Sequence, residues 1–142
     1  MPVLANTPPN GMKKIFICSP YRGDVESNTR LAKKIGRIAA LCEYVPVIPH
    51  LMYTSFLDDA NPEDRISGLT MSVELLASCD MMWIIGNKIS KGMAFEITRA
   101  KELGIPVRIY DTDCNRIAAN TLEIDDRVSS DLVEILRGAK LD

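Results

Sequence analysis

Hydrophobic and polar positions change their spacing several times along the chain. Residues 13–19 (KKIFICS) form a short apolar run with two isoleucines and a phenylalanine, the pattern of a buried strand. Pro20-Tyr21-Arg22-Gly23-Asp24 ends it. Over residues 25–44 apolar side chains return every three or four places, at Leu31, Ile35, Ile38 and Leu41 or Cys42, which predicts an amphipathic helix. Residues 45–49 (VPVIP) read as a second strand. Pro46 has no N–H for a central ladder, so this strand belongs at a sheet edge or starts after the proline. Residues 50–61 are irregular. Asn61 then suits a helix cap and Pro62 a first turn, opening a helix to about residue 78 with a break expected at Gly68. Residues 80–86 (DMMWIIG) read as a third strand. Residues 90–103 read as a helix capped by Ser90 and stopped by Gly104. Residues 105–110 (IPVRIY) read as a fourth strand, and residues 111–121 as loop. A short fifth strand at 122–124 and a closing helix at 126–139 follow.

Strands that alternate with helices imply βαβ units and a parallel sheet covered on both faces. The expectation is an α/β fold: a flavodoxin- or Rossmann-like doubly wound parallel sheet of four to five strands. It forms a single domain over residues 13–142, after a flexible leader at 1–12 rich in proline and asparagine. Such sheets bind ligands beyond the carboxyl ends of their strands. Those ends are residues 19–23, Pro49-His50, residues 86–92 and Tyr110-Asp111.

Composition narrows the function. A length of 142 residues fits one domain with a real core. The net charge of −2 argues against a nucleic-acid protein built on a basic surface. No apolar run approaches the ~20 residues of a membrane span, and residues 1–12 lack a signal-peptide layout. Cys18, Cys42, Cys79 and Cys114 form no CxxC pair, and three of them sit in apolar stretches. They read as reduced core thiols of a cytoplasmic protein. With one histidine, His50, no His-rich metal site is available. Asp58-Asp59 lacks further ligands, so neither metal nor cofactor is expected.

Two segments carry the candidate chemistry. The first, from Ser19 through Tyr21, Arg22 and Gly23, is a glycine-containing loop between strand and helix. It can offer backbone N–H groups to an anion, with the Arg22 fork beside them, or it is a plain turn. The second is Ser90-Lys91-Gly92-Met93-Ala94-Phe95-Glu96. Gly92 lets a ligand approach the backbone at a helix start, where free N–H groups favour negative charge. Met93, Ile97, Ala100 and Leu103 make the core stripe, and Glu96 lies one position off it. Its carboxylate is either a solvated surface acid or a group aimed at the pocket above the strand ends. His50, after Pro49, either bonds a base or ribose or is a structural histidine. Tyr21 either stacks on a base or lines the rim of the core.

The strand–SPYRG–helix opening, the CD-apolar strand and the block SxGMxxEIxxAxxLGIPV together resemble the nucleoside 2-deoxyribosyltransferase superfamily. That superfamily includes the 2′-deoxynucleoside 5′-phosphate N-hydrolases. SPYRGD, PVIPHL, FLDD, PEDR and SKGMAFE resemble a bacterial and phage branch of it more closely still. The resemblance spans roughly residues 13–111 and is most specific around Glu96. It implies strand order 2-1-3-4-5 and makes Glu96 the nucleophile that attacks the anomeric carbon as the base leaves. It also implies a substrate class. Transferases acting on free nucleosides usually carry Asp six places before the glutamate, whereas the nucleotide hydrolases carry a phosphate-contacting Ser. This chain has Ser90.

One departure from the pattern matters. The family's base-assisting Asp would fall at Ser72, so Asp58, Asp59 or Asp64 must serve instead, or cleavage is weak or absent. The implied substrate-binding set is Ser19, Tyr21, Arg22, Gly23, His50, Ser90, Gly92 and Met93, around catalytic Glu96. Three activities stay open. They are hydrolysis of (deoxy)nucleoside 5′-monophosphates, deoxyribosyl transfer on free nucleosides, and nucleotide sensing or sequestration without catalysis. The expected partners are a small nucleotide or nucleoside and a second copy of the chain. The helix around Leu69, Met71, Val73, Leu75 and Leu76 is more apolar than one buried face needs.

Overall fold

The computed structural model describes residues 11–118 and 123–124. The element order is β1 (Lys14–Cys18), α1 (Val25–Leu41), β2 (Val45–Val47), α2 (Pro49–Tyr53), α3 (Pro62–Ala77), β3 (Met81–Ile85), β4 (Lys88–Ile89), α4 (Lys91–Glu102), β5 (Val107–Tyr110) and β6 (Glu123–Ile124). The leader expected before residue 11 and the closing helix expected at 126–139 lie outside the described residues.

Four strands form a parallel sheet in the order β2-β1-β3-β5. The alternation of side chains sorts them onto two faces. Phe16, Cys18, Met82, Ile84, Val107 and Ile109 pack with Leu76 of α3 and Ile97 and Ala100 of α4. Ile15, Ile17, Trp83 and Ile85 pack with Ile35 and Ala39 of α1 on the other face. Phe16 and the fully buried isoleucines each contribute about 1.5–3 kcal/mol of burial. Together these layers are the doubly wound α/β arrangement expected from the alternation.

Local chemistry explains most boundaries. The Asp24 side chain accepts from Ser27 N at 3.1 Å to start α1. The Asn61 side chain accepts from Glu63 N and Asp64 N, with Pro62 in the first turn of α3. Ser90 accepts from Met93 N at 3.2 Å to start α4. Gly104, at φ +71°, turns the chain out of α4 in a conformation that disfavours a side chain. Pro46 is tolerated inside β2 because β2 is an edge strand.

Four expectations need correction. The stretch after residue 49 is not wholly irregular, since Pro49–Tyr53 forms α2 with Pro49 at its start. The helix is not broken at Gly68. A Cβ there would stand 2.8 Å from the Tyr53 ring, so this glycine lets α3 pass close to that ring. The expected fifth strand does not extend the main sheet. Glu123–Ile124 pairs in parallel with Lys88–Ile89 in a separate two-stranded sheet. Of the three thiols expected in the core, only Cys18 and Cys79 are buried, and all four cysteines are free.

Candidate active site

The chain leaves β1 for β2 on one side and returns to β3 on the other, so the order reverses between β1 and β3. A crevice outside the carboxyl ends of these two strands is the expected ligand position. Glu96, one and a half turns into α4, lies beside the carboxyl end of β1 at Cys18. Its Oε1 accepts from the Cys18 thiol at 3.7 Å, and the same sulfur lies 3.8 Å from the Met93 carbonyl. Burial pushes the Cys18 thiol well above its usual range, with the Glu96 charge adding to the effect, so it keeps its proton and donates.

Glu96 is half-buried, and no cation pairs with it among the described residues. Burial raises its pKa to about 8, and the hydrogen bond from Cys18 offsets only part of that. A carboxyl group raised this far by burial at a strand end is a candidate functional group.

Aromatic and polar groups from the neighbouring strand ends complete the site. The Tyr21 and His50 rings lie 5.2 Å apart, tilted at 42°. Burial lowers the His50 pKa to about 4, so its imidazole is neutral near pH 7. The His50 Nε2 and Ser19 Oγ atoms are buried without a hydrogen-bond partner. Buried polar atoms left unpaired in this way need an explanation, and a bound polar ligand supplies one. Tyr53, one turn after His50 in α2, was not among the residues singled out from the sequence. Burial and the charges of Asp59, Glu96 and Tyr21 raise its phenol to about 12, so it stays a donor. Its signal was available: once residues 49–53 are helical, positions 50 and 53 share a face. Only the absence of a period in that stretch hid it.

The other residues singled out from the sequence divide by position. Ser90 is exposed at the start of α4 and already serves as its cap. Gly92 borders open space, and a Cβ there would meet nothing within 4 Å. Gly23 is exposed at φ +97°. The Met93 side chain is in the core, and its N–H is taken by Ser90, so neither faces a ligand. Arg22 is not a free fork, because its Nε pairs with Asp59 Oδ2 at 3.4 Å. Ser72 is buried and donates to the Gly68 carbonyl at 3.0 Å, which is a structural role. Among the three substitute acids, Asp64 accepts from the Asp58 N–H at 2.8 Å and Asp58 from the Ala60 N–H at 3.0 Å. Asp59 differs from both. It is only 17% exposed and acts electrostatically on Tyr53 together with Glu96.

The doubly wound parallel sheet, with its order reversing between β1 and β3, has the fold of the nucleoside 2-deoxyribosyltransferases. A 2-deoxyribosyltransferase from the psychrotolerant bacterium Bacillus psychrosaccharolyticus superposes with a TM-score of 0.58 at 16% identity, over 84% of this chain and 95% of that one. A 2-deoxyribosyltransferase from Leishmania mexicana gives 0.51 at 20% identity, over 70% of this chain and 64% of that one. A conserved protein from Enterococcus faecalis V583 gives 0.50 at 22%, with the same coverage of 70% and 64%. Identities this low establish the shared fold. By sequence, the chain belongs to the family described as a domain of unknown function, DUF7768, whose family model matches residues 13–110. No curated protein matches it.

Proposed function

We propose that this protein cleaves the N-glycosidic bond of (deoxy)nucleoside 5′-monophosphates, with Glu96 as the nucleophile. The observation that carries the reading is the Glu96 carboxyl group, half-buried without a cation beside the carboxyl end of β1 and close enough to Tyr53 to act on its phenol, as Asp59 and Tyr21 also do. When ionised there, it is poorly solvated and stabilises an adjacent oxocarbenium ion strongly. A Glu96 oxygen attacks the anomeric carbon, and the C–N electron pair leaves with the base. The departing base takes a proton from the Tyr53 hydroxyl, and the water that then hydrolyses the glycosyl ester returns one to Tyr53. Asp59 acts electrostatically on Tyr53 in this role. Ser19 and His50 hydrogen-bond the sugar or base. Ser90, Gly92 and the start of α4 receive the phosphate, about 9 Å along the helix axis from Glu96.

The reaction needs the ionised carboxylate, so turnover of the free enzyme rises with pH through neutrality, is half-maximal near pH 8 and levels off only above it. A panel of nucleoside monophosphates and free nucleosides, followed by chromatography for released base, tests the reading. Base from monophosphates supports it. Base from free nucleosides alone supports a deoxyribosyltransferase instead, and no base from any substrate refutes both.

A second reading is nucleotide binding without cleavage. It is favoured by the Glu96 pKa of about 8, which leaves the group mostly protonated at pH 7 and able to donate to a ribose hydroxyl. In that case affinity persists with no turnover at any pH. We further propose a homodimer in the cytoplasm. Leu69, Met71, Val73 and Leu75 of α3 remain half-buried, and Ile66 on the same helix is exposed.

A further inference from the structure

A cavity lies on the α1 side of the sheet, the face opposite Glu96. Its volume is about 320 Å³, at the lower end of the range for small-molecule sites. Its walls are the rings of Tyr44, Trp83 and Tyr110, with Ile35 and Ile38 of α1 and the Arg108 side chain. Trp83 and Arg108 stand opposite each other in the β3–β5 register, so both side chains leave the same face of the sheet. The Trp83 Nε1 and Arg108 Nε atoms are buried, and neither has a hydrogen-bond partner. Both groups are donors only, so what satisfies them is an acceptor. Arg108 also carries a positive charge with no ion pair among the described residues.

The rings fix the rest of the chemistry. Tyr44 meets Trp83 edge-on at 5.7 Å, and Tyr110 meets it at 5.2 Å and 58°. These contacts hold the three rings as one continuous aromatic wall, against which an apolar ring can pack. A guanidinium beside an indole N–H favours two oxygens held in a plane. We propose that this cavity is a second ligand site, separate from the Glu96 crevice, for a planar aromatic carboxylate. The carboxylate meets Arg108 and the Trp83 indole N–H, and the ring packs against the aromatic wall and Ile35 and Ile38. Nothing in this proposal depends on the activity assigned to Glu96.

Trp83 is the sole tryptophan of the chain, so its emission reports on this cavity directly. The full chain is titrated with benzoate, with benzamide as the neutral isostere and acetate as the anion without a ring. Benzoate is expected to change the emission saturably, with a Kd near or below roughly 1 mM. Benzamide and acetate are expected to bind at least about tenfold more weakly, the loss of one charge-assisted contact or of the ring. Excess nucleoside monophosphate leaves the benzoate curve unchanged. Arg108→Gln weakens benzoate about tenfold or more, and Glu96→Gln does not. Should Arg108→Gln fail to fold, the wild-type protein still decides. Its single indole ¹H–¹⁵N resonance shifts on addition of benzoate if Nε1–H gains an acceptor. No saturable change, equal binding of all three probes, an indole resonance that stays in place, or displacement by a monophosphate would overturn the proposal.

Discussion

Replacing Glu96 by Gln keeps the shape of the side chain and removes its titration, so its effect on stability must depend on pH. In the unfolded chain this glutamate ionises near its ordinary 4.5, and in the native protein near 8. Below pH 4.5 both states hold the proton, and Glu96 costs nothing. As pH rises, the unfolded chain releases the proton while the native protein keeps it, so stability falls until about pH 8 and then levels off. At about 1.4 kcal/mol per pH unit, the cost is on the order of 3 kcal/mol by pH 7 and 4 kcal/mol by pH 8. Glu96→Gln removes that cost. It should raise the Tm at pH 8 by about 16 °C, taking about 4 °C per kcal/mol for a chain of this size. Near pH 5 the gap should shrink to a small fraction of that. Paired thermal melts of the two proteins at pH 5 and pH 8 make the comparison. A Tm gap that does not change between the two pH values, or a Gln variant less stable at both, would refute the claim that burial of this carboxyl group dominates its electrostatics. If the variant is both more stable and less active, Glu96 is a residue held at a cost in stability for function.

Three further outcomes are expected. Ser90→Ala should lower stability by about 1 kcal/mol through loss of the α4 cap, and weaken monophosphate binding by roughly 1–2 kcal/mol, both measurable by melts and calorimetry. Ser90→Asp should keep the cap and the Tm while rejecting the phosphate by like-charge repulsion, so a variant that binds monophosphates normally would count against a phosphate site at α4. Light scattering at micromolar concentration should show at least a dimer, and Ile66→Glu should shift it towards monomer. A stable monomer in the parent protein would remove α3 as an interface.

The parts of the fold that were legible in the sequence are those whose pattern is repeated over several turns or strands. The period of α1, the apolar runs of β1 and β3 and the caps Asn61 and Ser90 each carry a local reason for their structure. Elements shorter than one period were not legible. A helix of five residues such as Pro49–Tyr53 cannot show an amphipathic repeat, and so Tyr53 stayed hidden. The pairing of Glu123–Ile124 with Lys88–Ile89 is a tertiary choice that no two-residue pattern encodes. Gly68 looked like a weak point because propensity penalises glycine in a helix. The tertiary contact with Tyr53 reverses that reading. At the site, spacing placed Ser90 at the cap of α4 and Glu96 just off its core stripe, while their candidate roles came from the family resemblance. That Arg22 is engaged by Asp59, and that Asp59 rather than Asp58 or Asp64 approaches Tyr53, follows from loop geometry and could not be read from composition.

The central claim is that Glu96 forms a covalent bond to the sugar. The most direct test is to quench the protein with acid during turnover of a nucleoside 5′-monophosphate and weigh it intact by mass spectrometry. The account predicts an adduct of one sugar phosphate less water, mapping after digestion to the peptide containing Glu96 and absent from Glu96→Gln. Base release with no adduct at any quench time, or an adduct that persists in Glu96→Gln, would contradict it.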